Sequence, residues 1–383
     1  MNVQRSTRNA HRSSQNGGSA LIIALWTIGL LSMLVMSFAL DAMLEGKINV
    51  YVRQRRQVDY LTQSGIAIAE MLLLDYKNAS SEASSASPSS SLNAESADKW
   101  LQYKLDLQRG SANIQAYAIE EDQPEKGVVT VAITSAEANK WPVNLLEKND
   151  VSDQIWENIL NVIDLPMAYR EEVVDSWYDW RDDDRTVTGR SGAEDEYYDS
   201  LEKPYKARNG VIASVDELKM IKGICEYPAI FKGGVLDPEE KDKKAQHTIL
   251  HGGLEAFFDI YGETVKINVN SATREVLMTV PGIGDAGDEI LAGAIIEERE
   301  TGRNMMTSAT SSEESLLFKD WNDLNTRIEG GVPTAAEAFL TYAPEKYFKI
   351  TVTGEAGGVS HRIETTAIVE DDKVRYLRWR EDP

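Results

Sequence analysis

Eleven acids stand between Glu171 and Asp199, against three arginines. They form two clusters: Asp179, Asp182, Asp183 and Asp184, then Glu194, Asp195, Glu196 and Asp199. Thr186 to Gly192, between them, has loop character. Carboxylates gathered without cations repel one another, and a hard divalent cation with oxygen ligands offsets that repulsion. The spacing of Asp182 and Asp184 lets two side chains turn to one point in a loop. The pattern is not that of an EF-hand. A solvated acidic face or a set of helix caps is the other reading of the same residues.

Other chemistry finds less support. The histidines are His11, His247, His251 and His361. His247 and His251 lie four apart, without the glutamate of an H-E-x-x-H site. Neither a G-x-S-x-G elbow nor a lysine-bearing phosphate loop is present. Asp175 and Asp179 can share a helix face, but an acid-pair hydrolase also needs a cleft. The chain therefore reads as a non-enzyme. Cys225, alone, rules out a disulfide framework and a cysteine zinc cage. Val280-Pro281-Gly282-Ile283-Gly284 resembles a helix-hairpin-helix turn, which offers N–H groups to phosphate. Asp285, Asp288 and Glu289 follow it; they suit a helix N-terminus and repel phosphate. The formal charge of −22 over 383 residues also argues against a nucleic-acid partner. The turn reads instead as scaffold packing Leu277, Val280, Ile283, Ile290 and Ile295.

Residues 1–18 carry Arg5, Arg8 and Arg12 and no acid; residues 19–40 carry no charge at all. That second stretch is long enough for about 30 Å of hydrocarbon. Apolar residues then continue at helical steps through Leu44, Ile48, Val52, Val58, Thr62, Ile66, Ala69, Leu72 and Tyr76. One long helix over 19–78 is expected, its membrane part at 19–40. Residues 79–97 are rich in Ser and Ala and read as a linker. Residues 98–144 are read as a first β region, with strands at 112–119 and 128–134. A second β region, 341–383, holds strands at 347–353, 360–369 and 374–379. Between them, 145–340 reads as a helical block. Two related units, beginning at Val143 and Ile267, each run from an entry through a helix and a proline turn to a second helix. Ser214 and Glu217 mark a capping box there.

The leader ending in Gly18, followed at once by the apolar helix, resembles a type IV prepilin. In that family a dedicated peptidase cuts after the glycine on the cytoplasmic side, here between Gly18 and Ser19. Most prepilins carry glutamate five residues after the cut, where this chain has Ile23. The K-type minor pseudopilins of type II secretion characteristically lack it. A tip subunit has no neighbour above it to pair with that carboxylate, and an unpaired one in the bilayer is costly. Ser19-Ala20-Leu21, Leu25-Trp26, Asp179 to Asp184, Gly192 to Tyr198, Asn209-Gly210, Ala213 to Leu218 and Leu377 to Glu381 also look like that family. The resemblance implies an α+β, pilin-like fold. It has a long N-terminal helix, a small antiparallel sheet and a large inserted all-α domain with helix-hairpin-helix-like units. It implies a single-pass inner-membrane protein with its C-terminal domain in the periplasm. The subunit would sit at the pseudopilus tip, initiate assembly and support export, with I- and J-type minor pseudopilins as partners. It implies calcium at the acidic segment, with Asp182, Asp184, Glu194 and Asp195 as ligands and Asp179, Asp183 and Asp199 as second choices. A membrane-tethered module such as a DNA-uptake tip subunit is the alternative.

Overall fold

The computed structural model describes residues 17–81, 94–117, 127–236, 246–284, 289–305, 317–370 and 373–382. Helix α1 runs unbroken from Gly17 to Ser81. Its first half is apolar on every face and bare, with Leu21 65% and Trp26 70% exposed. Burial starts at Val58 and continues through Thr62, Ile66, Ala69, Leu72, Leu73 and Tyr76. Leu44, Ile48 and Val52 keep the helical period but remain exposed, because the sheet lies against the later turns only.

That sheet has five antiparallel strands in chain order: β1 (Ser111–Tyr117), β2 (Val128–Ser135), β3 (Tyr347–Ala356), β4 (Val359–Glu370) and β5 (Lys373–Asp382). The alternation expected of half-buried strands fixes the register: Val131 stands opposite Val352, and Ile133 opposite Ile350. The inward row packs on Leu72, Leu73 and Tyr76, with Tyr76 edge-on to Phe348 at 5.5 Å. Gly65 and Gly354 let helix and sheet meet at backbone distance. A Cβ on Gly65 would lie 2.7 Å from Val129 Cγ2, and one on Gly354 would lie 3.0 Å from Val58 O.

Two regions depart from the sequence reading before β2. The Ser/Ala stretch is helical at both flanks, since α1 reaches Ser81 and α2 spans Ala94–Gln108. The remainder of that linker, and residues 118–119 of the first strand expectation, lie outside the described residues. Helix α2 occupies the start of the supposed β region. It buries Leu105 and Leu107 and ties Trp100 Nε1 to Asp75 of α1 at 2.9 Å.

The sheet is interrupted between β2 and β3 by an insert with a hydrophobic cluster of its own. Trp141, Trp156, Trp177, Trp180, Phe231, Phe257 and Phe258 are all at most 2% exposed. Its described helices are α3 (Asp150–Val162), α4 (Met167–Arg181), α5 (Asp195–Asp199), α6 (Pro228–Lys232), α7 (Arg274–Leu277), α8 (Glu289–Met305) and α9 (Trp321–Arg327). The insert is not purely helical. Two-residue strands pair at 141–142 with 258–259, 234–235 with 248–249, and 267–268 with 340–341. The two related units meet where Asn158 Nδ2 donates to Thr279 O at 3.3 Å, and Trp141, just ahead of the first unit, donates Nε1 to Thr279 Oγ1 at 2.7 Å. They are unequal, because α7 is a single turn where α3 has 13 residues. The Ser214 segment forms a 3-10 helix, Val215–Met220. Ser214 Oγ caps it by accepting from Asp216 N at 3.3 Å, and Glu217 accepts from Ala213 N at 3.1 Å rather than from the cap residue, so the reciprocal capping box does not form.

Candidate metal centre

Helix α4 supplies the first wall of the acidic centre. Asn149 caps α3 by accepting from Ser152 N at 3.0 Å, and α3 in turn packs Trp156 edge-on against Trp177 of α4. On the other side Trp180 packs on Tyr198 of α5 and donates Nε1 to Glu217 Oε1 at 3.1 Å. These contacts fix the rotation of α4 and bury Asp179 completely. Asp179 Oδ1 accepts from Thr188 N at 2.8 Å; Oδ2 has no hydrogen-bond partner. A Cβ on Gly192 would collide with that carboxylate, so glycine admits the loop there.

The chain leaves α4 at Asp182 and returns at Glu194, the residue before α5. One carboxylate oxygen each from Asp182, Asp184 and Glu194 lies within 4.8 Å of the others. Two oxygens bound to one calcium at about 2.4 Å can be no further apart than about 4.8 Å. Asp182 Oδ1 and both oxygens of Glu194 are buried without a partner. Burial, then the charges of Asp179, Asp182, Asp184 and Asp195, push the Glu194 carboxyl up to about 7. Burial, then Asp184 and Asp179, also raise Asp182. Arg181 does not relieve this. Its guanidinium lies over Trp177 at 4.5 Å and donates to Leu146 O at 2.6 Å and Asn144 O at 2.8 Å.

The ligand expectations therefore divide. Asp182, Asp184 and Glu194 converge. Asp195 turns to Ala207 N, at 3.1 Å, and Lys206 Nζ, at 3.6 Å. Asp199 pairs with Lys206, and Asp183 is exposed. Asp179, a second choice, is not among the three that converge; it lies buried nearby with one unpartnered oxygen. Asp175, one turn earlier on α4, was not among the expected ligands. Its Oδ2 is buried without a partner and faces Gly189. The four-residue step to Asp179 was the available signal. An oxygen-only donor set in which Asp182 and Glu194 keep buried, unpartnered oxygens, while exposed Asp184 accepts from Thr186 N at 2.6 Å, fits a hard divalent cation.

The remaining expected sites are plainer. Gly18 and Ser19 lie within α1, and Ile23 is an exposed member of its apolar run. That helix is long and apolar enough to cross a membrane. Val280 and Ile283 of the glycine turn are buried in the insert core. Arg274, the cation beside α8, pairs with Glu289 at 3.1 Å. Asp285 and Asp288 lie outside the described residues.

Residues 131–227, which include the whole acidic centre, match the family model of type II secretion system protein K. A curated relative, the type II secretion system protein K of Aeromonas hydrophila, is 30% identical over 79 residues. That match covers 21% of this chain and about a quarter of the relative's length, 24%. A solved GspK-GspI-GspJ complex from the enterotoxigenic Escherichia coli type 2 secretion system contains a chain similar in structure. Its TM-score is 0.47 at 15% identity, over 86% of this chain and 99% of that one.

Proposed function

We propose that this chain is a minor pseudopilin of a type II secretion system, standing at the tip of a periplasmic pseudopilus and helping to initiate its assembly. One arrangement carries the reading. A helix bare and apolar for its first half continues without a break onto a sheet, and residues 131–227, mostly in the insert of that sheet, match the protein K family model. The bare half suits the inner membrane first and the helical core of a fibre later. Cleavage by a prepilin peptidase between Gly18 and Ser19 would leave Ile23 where most pilins have a carboxylate. The insert, rising from one end of the sheet, would block addition of a further subunit above it. I- and J-type minor pseudopilins are the proposed partners, as in the solved GspK-GspI-GspJ complex.

The acidic centre fits this role as a structural site. Asp179, Asp182, Asp184 and Glu194 would hold calcium, which supplies positive charge to a loop that otherwise gathers repelling carboxylates. The chain's own residues do the positioning: α4 presents Asp179, the α4 exit presents Asp182 and Asp184, and the start of α5 presents Glu194. No catalytic role is proposed.

The test is co-purification of the full chain, extracted in mild detergent, with candidate I- and J-type subunits. A stable complex whose recovery falls on chelation is expected. Failure to retain either subunit, with or without calcium, contradicts the proposal.

A further inference from the structure

Strand β5 closes the sheet on one side, and among the described residues no strand pairs with its outer edge. It is ten residues long, so it presents a row of backbone N–H and C=O groups that natural proteins usually guard. Its composition is unusual for this molecule. In a chain of net charge −22 it carries Lys373, Arg375, Arg378 and Arg380 against Glu381 and Asp382. Arg375 pairs with Glu370 at 3.0 Å and Arg380 with Asp382 at 3.2 Å, while Lys373 and Arg378 have no ion pair among the described residues. Leu377 and Trp379 stand between them, 39% and 45% exposed.

Behind this edge lies a cleft of about 490 Å³ between the sheet and the insert, into which Arg378, Arg380 and Lys349 open. Asp216, Glu255 and Asp259 line its other wall, beside Lys140, and Glu364 lies on the strand side. Asp216 pairs with Lys219 and also lies within the field of Lys232 and Arg378, and Asp259 lies within the field of Lys140 and Lys349. On the strand side Lys349, Arg378 and Arg380 stand against Glu364 alone, which leaves surplus positive charge there. Lysine and arginine on an open edge oppose pairing with a like-charged strand and favour an acidic one.

We propose that β5 and the cleft beside it receive an extended, acidic segment of a partner protein, which adds to the sheet as a sixth strand. Backbone pairing would supply affinity, and carboxylates meeting Lys373 and Arg378 would supply selectivity. Leu377 and Trp379 would be covered. The proposal rests on the sheet and stands independently of the acidic centre and of the secretion reading.

The experiment uses the full chain in lipid nanodiscs and a labelled peptide, of β5's length, alternating glutamate and valine. A lysine-valine peptide and a single-stranded oligonucleotide serve as competitors. Binding of the glutamate peptide should weaken about tenfold in the variant Lys373→Glu/Arg378→Glu and fall with added salt. Hydrogen exchange of amides 373–382 should slow in the complex. Both residues are exposed, so the variant should keep its melting temperature; Lys373→Gln/Arg378→Gln, which adds no charge, should weaken binding by a smaller factor. The proposal is overturned by an absence of binding or by equal binding of the lysine peptide or oligonucleotide. It is also overturned by binding that leaves 373–382 unprotected, or by binding indifferent to both double variants.

Discussion

Two regions of this molecule bury carboxylates, and they do so in opposite ways. Glu345 sits where the insert rejoins the sheet and is 7% exposed. Ser271 Oγ donates to its carboxyl, Asn268 Nδ2 donates at 3.2 Å, and its backbone N donates to Tyr76 Oη of α1 at 3.1 Å. Burial holds this acid well above its ordinary range, with the nearby charge of Glu137 adding to the effect. One acid among neutral donors can be accommodated by keeping its proton. The centre around Glu194 gathers at least four acids within one another's field, too many to share protons at neutral pH. A hydrogen-bonded acid can fasten two units together; a crowd of carboxylates needs a cation.

The largest effect that can break this contrast is at the crowded centre. Replacing Asp182, Asp184 and Glu194 together by Asn, Asn and Gln should remove calcium-dependent stabilisation, about 3 kcal/mol at saturating ion. Calorimetry with and without calcium checks this. The same variant should be more stable than the wild type once calcium is chelated, because the repulsion is gone. Equal calcium responses in the two proteins would refute the grouping.

Gly65→Ala tests the frame that positions both regions. The added methyl meets Val129 and Val352 and should cost about 1–3 kcal/mol in a denaturant titration. A neutral result would mean that α1 is free to lift from the sheet.

Glu345→Gln gives a smaller and pH-dependent change. Because the folded-state acid titrates above its unfolded value, the native state binds the extra proton. The stability it contributes is complete below the unfolded value and declines as pH rises through the folded one. Between those two values the Gln variant should therefore gain on the wild type, by about 1.4 kcal/mol for each step of one in pH. Melting curves across that range check it; a constant difference contradicts the buried neutral acid. The smallest effect is at Asp183. This side chain is exposed, so Asp183→Asn should change stability by less than about 0.5 kcal/mol and leave the calcium response intact.

Much of this was legible in the residues, and what escaped has physical causes. The period of α1 and the β-branched alternation of β2 to β4 mark elements whose buried faces are continuous. Strand ends extend past the expected spans by up to three residues, since backbone pairing continues where alternation is weak, as at Gly354 to Ala356. Helix α2 was hidden because its inward residues, Leu105 and Leu107, lie two apart and mimic a strand. The two-residue strand pairs of the insert are too short to leave a period. At the acidic centre the cluster was plain, but its membership was not. Asp195 carries a carboxylate as good as that of Asp182, and only the folded position of Lys206 and the Ala207 amide draws it away. Glu345 had no signal at all, because burial of a lone acid is decided by residues far away in sequence.

Metal analysis of the full chain after dialysis against micromolar calcium tests the centre most directly. Wild type should retain at least about one calcium per chain, and Asp182→Asn/Glu194→Gln should retain markedly less at an unchanged fold. A metal-free wild-type protein, or equal retention in the two, would contradict a cation centre built from these carboxylates.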